Sequence, residues 1–377
     1  MDLPENNEQE KKVEYLELIY DLIFVYIVGR NNSILHHVEG GFVTIEAFLL
    51  YIFCTLAVIQ IWSFSTIYIN IHGRNSIRDH IFLFINMYLL YHMANGIGHN
   101  WRENFYEFSI AWALILINIA IQYFLEIRNQ KGKEWAVIVL KQQGYIILAE
   151  VVLIIVHILV YYLSGVSIAY VPVLFGIIIS FVTGNIFTMF PVDFSHLSER
   201  AMLYVVFTFG EMIIVIASYF EGGFNLNTLF FSIVGFLIVV GLFLSYEMIY
   251  NRIVDRDMTT NGLTYILVHV FLILSLNNIS IALEFMKEEE VSLLPKIIFL
   301  TASIIIYFIC IFVLGRYSKK RCGFNFKFIA KMIGVTIVFA ILMILLREYM
   351  YINIIITVVY VGCIFLVLYK KSSNNNS

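Results

Sequence analysis

The sequence predicts an all-α fold, a polytopic transmembrane helix bundle of about twelve helices, and the placement of its Arg and His residues suggests a 6+6 parallel repeat. Three observations predict it. Hydrophobic residues make up 60% of the 377 and charged residues only 14%, with a mean hydropathy of +0.85. An ordinary soluble domain is about a quarter charged, so lipid must be the solvent for most of this surface. Apolar runs close to the roughly 20 residues that cross a bilayer recur along the whole chain. The lysines and arginines also fall overwhelmingly on one side once those runs are counted as crossings.

The elements follow in order. The opening MDLPENNEQEKK is polar and acidic, with no short apolar core and small-residue cleavage site behind it, so residues 1–12 read as a retained N-terminal tail. Twelve apolar segments follow, centred near Phe24, Cys54, Tyr88, Leu116, Val152, Ile178, Val206, Gly235, Leu272, Ile306, Val338 and Ile356. Only Arg347 and Glu348 separate the last two, which predicts a tight hairpin. The first six segments occupy residues 13–190 and the second six 191–369. Residues 370–377, KKSSNNNS, read as a short disordered tail.

Positive residues are retained on the cytoplasmic side of short loops. Nineteen of the 24 lysines and arginines fall on the side of the N-terminus, and Arg30, Arg102, Lys287, Lys296 and Arg347 make up the other five. A miscount among the early spans would scramble this asymmetry, so both termini are placed inside. The suggested repeat is positional. Arg74 and Arg252 follow the second and eighth spans, 178 residues apart, and His92 and His269 lie in the third and ninth, 177 apart. The most basic loops, starting at Arg128 and Arg316, follow the fourth and tenth, 188 apart. Parallel repeats of this kind recur in transporters.

A net charge of −3 with no concentrated basic face excludes a nucleic-acid partner. Cys54, Cys310, Cys322 and Cys363 are scattered without CxxC or Cys/His spacing, so neither a disulfide framework nor a zinc site is indicated, and no metal or cofactor is assigned.

Ionisable residues at membrane depth are costly, and each needs a partner or a purpose. Glu17 and Asp21 are four apart and share a face of the first helix. Two such carboxylates require a shared proton, an intervening cation or an arginine, for which Arg74 and Arg200 are the candidates. Arg200 and Glu211, eleven apart, also share a face, with Glu211 roughly 16 Å deeper at about 1.5 Å per residue. Gly210 beside it leaves room for a neighbouring backbone or a ligand. Glu211 is then either a lumen-facing acid or a protonated partner in a packing seam. His92 and His269 are either proton relays or interhelical hydrogen-bond partners. His196 and Glu199 are secondary candidates, and Asp193 with His196 forms a candidate acid/base pair at the cytoplasmic surface. Glu150 and Glu247 are buried acids outside any motif.

The first span, VEYLELIYDLIFVYIV from Val13 to Val28, resembles the opening signature of the low temperature requirement protein A family of bacterial membrane proteins. In that pattern an acid, a hydrophobic residue and an aromatic pair precede Asp-Leu. Here these are Glu17, Leu18, Ile19 with Tyr20, and Asp21 with Leu22, with Ile19 departing from the first aromatic. HLSER, from His196 to Arg200, and the later Gly210-Glu211 are similar to the family's His-x-x-Glu-Arg and Gly-Glu. Trp62, Tyr68, Asn70, Arg74 and His269 also agree. The resemblance implies a bacterial cytoplasmic-membrane protein and imports no molecular activity. Tyr20-Asp21 is also similar to the aromatic-x-Asp signature of the endolysosomal potassium and proton channels, without its intervening Ser.

The predicted function is therefore a transporter or channel for a small ion, proton or solute, with Glu17, Asp21 and Glu211 converging on one polar centre balanced by Arg74 or Arg200. The alternatives are an intramembrane enzyme acting on lipid, for which no His-Glu-x-x-His or Gly-x-Ser-x-Gly is found, and a structural or sensory membrane protein. The partners expected are membrane lipid and the ion itself, and self-association into a homo-oligomer stays open.

Overall fold

The computed structural model describes residues 12–98, 101–130, 134–183, 192–220, 223–319 and 323–373. Residues 1–11 of the N-terminal tail, and with them most of that expectation, lie outside the described residues. Each of the twelve apolar runs forms a helix: α1 (Tyr15–Asn32), α2 (Ile45–His72), α3 (Ile77–Asn95), α4 (Trp101–Glu126), α5 (Glu134–Ser164), α6 (Tyr170–Val182), α7 (Phe194–Ala217), α8 (Leu226–Met248), α9 (Leu263–Lys287), α10 (Leu293–Leu314), α11 (Phe326–Leu345) and α12 (Met350–Ser373). In hydrocarbon every backbone N–H and C=O must be satisfied within its own segment, and only the helix does this locally. Among the described residues, ten helices are long and apolar enough to cross a membrane, and α3 and α6 are not in that set. Arg78, Asp79 and His80 sit in the first turn of α3. The 13 residues of α6 reach about 20 Å, short of the roughly 30 Å hydrocarbon core.

Local chemistry sets the helix starts. The Thr44 hydroxyl accepts from Ala47 N at the head of α2, Ser76 and Asp79 form a reciprocal capping box on α3, and Asn225 with Thr228 does the same on α8. The expected hairpin between α11 and α12 is present. Asn353 Nδ2 donates to Leu346 O (2.7 Å) across its turn. The C-terminal expectation is corrected for residues 370–373, because α12 continues through Lys370 and Lys371 to Ser373, and its remainder, residues 374–377, lies outside the described residues. A short hairpin, β1 (Val38–Glu39) with β2 (Phe42–Val43), follows α1. Its Gly40 and Gly41 hold φ of 62° and 91°, the left-handed pair that a two-residue hairpin turn demands.

Packing follows the same order in both halves of the chain. α1 packs on α2 and α3, α3 on α4, α4 on α5, α5 on α6, and α2 on α6; α7 packs on α8 and α9, α9 on α10, α10 on α11, α11 on α12, and α8 on α12. The halves meet where α1 lies along α7, flanked by contacts of α2 with α7 and α9. α1 and α7 run in the same direction, since Glu17 meets His196 near both starts while Gly29 meets Glu211 further along both. The starts of these two helices form the basic end of the bundle.

Candidate functional site

The α1–α7 seam holds a buried charge cluster, built from one face of each helix. On α1, Glu17 and Asp21 project together, as their four-residue spacing requires, and both are buried, Asp21 completely. On α7, His196 and Arg200 are also four apart and fully buried. Arg200 clasps Asp21 with two donors, Nη2 to Oδ1 and Nε to Oδ2 (3.2 Å). This forked geometry suits a planar guanidinium and a carboxylate. Trp62 Nε1 on α2 donates to the same Asp21 Oδ1 (2.8 Å). The Arg200 Nε also lies 3.6 Å from Glu17 Oε2.

His196 has an assigned tautomer. The Asn70 side chain pairs with the backbone of Asp193: Nδ2 donates to Asp193 O (2.8 Å) and Oδ1 accepts from Asp193 N (3.1 Å). That pairing fixes which way the amide points, so the second Nδ2 hydrogen is directed at His196 Nδ1 (3.1 Å). Nδ1 is then the acceptor and Nε2 carries the proton that it donates to Glu17 Oε2 (3.1 Å). Both ring nitrogens are occupied. The Asp193 carboxylate accepts from the His196 backbone N–H (2.9 Å) and so caps α7. The expected Asp193–His196 acid/base pair is thereby corrected to a helix cap beside an imidazole that serves Glu17.

Both cross-seam contacts, Glu17 with His196 and Asp21 with Arg200, join residues 179 positions apart. Asp21 is the seventh residue of α1 and Arg200 the seventh of α7. The two parallel helices therefore meet in register, an acidic pair facing a basic pair. Further in, Tyr20 OH and Ser65 Oγ share a 2.8 Å hydrogen bond, and the Trp62 and Tyr204 rings meet edge to face at 5.0 Å. Arg200 Nη1 and Tyr204 OH are buried and have no hydrogen-bond partner among the described residues.

The remaining predicted residues are dispersed. Arg74 does not join the seam: its Nη2 donates to Glu126 Oε1 (2.8 Å), while Arg78 Nη2 donates to Glu126 Oε2 (3.0 Å). Glu211 does not converge with Asp21 either. It lies on the same seam toward the opposite end, packed so closely on α1 that a Cβ on Gly29 would come within 2.6 Å of its Oε1. The glycine that makes room is Gly29, whereas a Cβ on Gly210 would meet no neighbouring element within 4 Å among the described residues. His269 is an interhelical partner, with its Nδ1–H donating to Tyr265 O (2.8 Å) and Nε2 accepting from Tyr246 OH (3.0 Å). His92 lies part-exposed on α3, 3.5 Å from Glu107, and Glu199 is half-buried beside Arg200 without taking part in the clasp. Glu247 is corrected from buried to half-buried and accepts from Asn251 (3.0 Å), whereas Glu150 is fully buried and accepts from Gln60 Nε2 (3.4 Å).

The site contains two residues that sequence reasoning did not select as site members, Trp62 and Asn70. They are eight apart on α2, a little over two turns, so both reach the seam. Buried tryptophan N–H and asparagine groups in a membrane helix need partners, and that was the available signal.

No curated protein and no solved structure matches the chain. The family model described as bacterial low temperature requirement A protein (LtrA) matches residues 12–366, nearly the whole length. That match includes both halves of the charged seam, the α1 acids and the α7 His-x-x-Glu-Arg run, so this multi-pass membrane protein belongs to the low temperature requirement A family.

Proposed function

We propose that the chain is a transporter or channel for a small ion, a proton or a monovalent cation, and that the α1–α7 seam is its route. The observation that carries this reading is the position of Glu17. It lines a cavity of about 350 Å³ at the basic end, walled also by Glu14, Arg74, Asp79 and His80, while Asp21 and Arg200 lie behind it. Two carboxylates, a guanidinium and an imidazole are thus buried together behind that cavity, whose wall also includes Lys12. Carboxylates held at membrane depth mark proton and cation pathways, and Glu17 is the one in this cluster that a proton or monovalent cation reaches from the cavity. Beyond Asp21 the seam is closed by buried Phe24, Ile27 and Val28 before Glu211 is reached. Passage requires α1 and α7 to move apart over that stretch. The test is ion flux into liposomes bearing the purified protein. Glu17→Gln and Asp21→Asn, each inserted in wild-type amounts, are expected to lower flux at least tenfold; wild-type flux in both variants, or loss of folded protein alone, defeats the reading.

The supporting architecture is part of the proposal. The two sets of six helices, 13–190 and 191–369, are read as parallel repeats, supported by their shared packing order and by the in-register α1–α7 contact. The chain is read as crossing the cytoplasmic membrane twelve times with the basic end inside, from the distribution of Lys and Arg, the short α6 being accommodated by its packing on α2 and α5 and by local thinning of the bilayer. Reporter fusions after residue 377 are expected to give a cytoplasmic signal and fusions at Asn225 an external one; an external C-terminus overturns the orientation.

A further inference from the structure

Each six-helix set carries a cavity at the end opposite the basic one, in the same place in both. The first, about 790 Å³, lies between Ile34 and His37 just after α1, the start of α2, Gly98 and the start of α4, and the α5–α6 connection. The second, about 720 Å³, lies between the end of α7, the start of α8, the α9–α10 connection and the start of α12. Recurrence at corresponding places marks them as features of the fold, but their chemistry differs.

In the first cavity Phe53 is flanked by Trp101 and Tyr170, each 5.9 Å away between ring centroids, which makes a continuous aromatic wall. The Tyr170 hydroxyl is tied to Leu49 O, which fixes its ring in place. Glu46, exposed in the first turn of α2, adds a carboxylate to the same cavity about two turns from Phe53, and Glu103 adds another from the first turn of α4. Aromatic faces and carboxylates together favour a cation that is partly apolar, because the ring quadrupole attracts positive charge and the acid supplies the counter-ion. Arg102 on the same rim limits the ligand to one positive charge and offers a partner to an anionic second group.

The second cavity also has rings and carboxylates, Phe231 and Tyr351 with Glu288 and Glu289, but two lysines stand among them. Its Lys287 Nζ is held by Tyr219 O (3.0 Å) and lies over the Tyr219 ring, and its Lys296 is held by Glu288 O. Two ammonium groups already occupy the places where a cation would be attracted.

We propose that the first cavity is a binding site for the ammonium group of a small organic cation, separate from the α1–α7 route. The ammonium sits against Phe53, Trp101 and Tyr170 with Glu46 as its counter-charge. The proposal is tested by calorimetric titration of the purified full-length protein with phenyltrimethylammonium, with benzenesulfonate as the anionic counterpart. The expected result is saturable binding of the ammonium alone, weakened at least tenfold by Glu46→Gln and by Trp101→Leu. Glu289→Gln, in the second cavity, should leave it unchanged. Glu46 is exposed, so its variant folds as the parent does, and a melting curve on each variant confirms this. No saturable binding, equal binding of benzenesulfonate, or affinity unchanged in both Glu46→Gln and Trp101→Leu overturns the proposal. Because the titration does not read flux, its failure leaves the seam proposal standing, and the reverse also holds.

Discussion

The corner at the basic end that joins the second and third helices of each set is closed by charge in one half of the molecule and by backbone and rings in the other. In the first half, Glu126 at the end of α4 is fully buried and takes Arg74 and Arg78 from the α2–α3 corner, with Asn129 Nδ2 donating to it as well (2.6 Å). In the second half, the α8–α9 corner pairs with the end of α10 through main-chain atoms. Asp255 N donates to Tyr317 O (2.8 Å) and Lys319 N to Ile253 O (2.9 Å). Above that bridge Phe194, Tyr265 and Tyr317 form one ring cluster, with centroids 4.9 to 5.5 Å apart. The first solution ties α2, α3 and α4 together, and the second ties α8, α9 and α10 with Phe194 of α7. They differ in how they fail. Removing the buried carboxylate takes the shared acceptor from two part-exposed arginines, whereas a bridge built from backbone depends on conformation and is indifferent to any single side chain.

That contrast can be broken at its stronger side first. Glu126→Ala strips the acceptor from both Arg74 and Arg78, and its expected cost is about 1.5–3 kcal/mol, the range for hydrogen bonds to charged groups, because both arginines keep contact with water. Thermal unfolding in detergent should show the loss, and a melting temperature within one degree of wild type would mean that the charged corner contributes no more than an exposed pair. The backbone-built corner is sharpened by Gly262→Ala. Gly262 begins α9 at φ 68°, a left-handed conformation, with Leu197 of α7 against its open side. The conformational strain is about 1–2 kcal/mol, and the same unfolding measurement should place this variant between wild type and Glu126→Ala. A larger effect than that of Glu126→Ala would reverse the ranking of the two corners.

The residues of the seam show where sequence reasoning reached and where it stopped. Helical periodicity was sufficient to put Glu17 and Asp21 on one face, because four residues are close to one turn and no neighbour is needed to know it. The same arithmetic put Arg200 and Glu211 on one face, and both do look toward α1. It also separated them by roughly 16 Å, a distance incompatible with one shared polar centre. Arg74 and Arg200 were equal candidates for the α1 acids, since each stands near a helix end on the same side. What separated them is the burial of Glu126, an acid at the end of α4 whose pull on Arg74 has no local signature.

By itself the sequence determined the helices, their order and the membrane as their solvent. Hydrocarbon leaves the backbone no partner outside its own segment, so a long apolar run has one solution and its length can be read directly. The low temperature requirement A signature was equally legible, being local. Only the tertiary structure decided that α1 and α7 lie parallel and in register, which places Asp21 on Arg200 and Glu17 on His196 and leaves Glu211 against Gly29. The physical reason is that periodicity states which face of a helix a residue occupies, while the identity and register of the neighbour across that face depend on how all twelve helices pack at once.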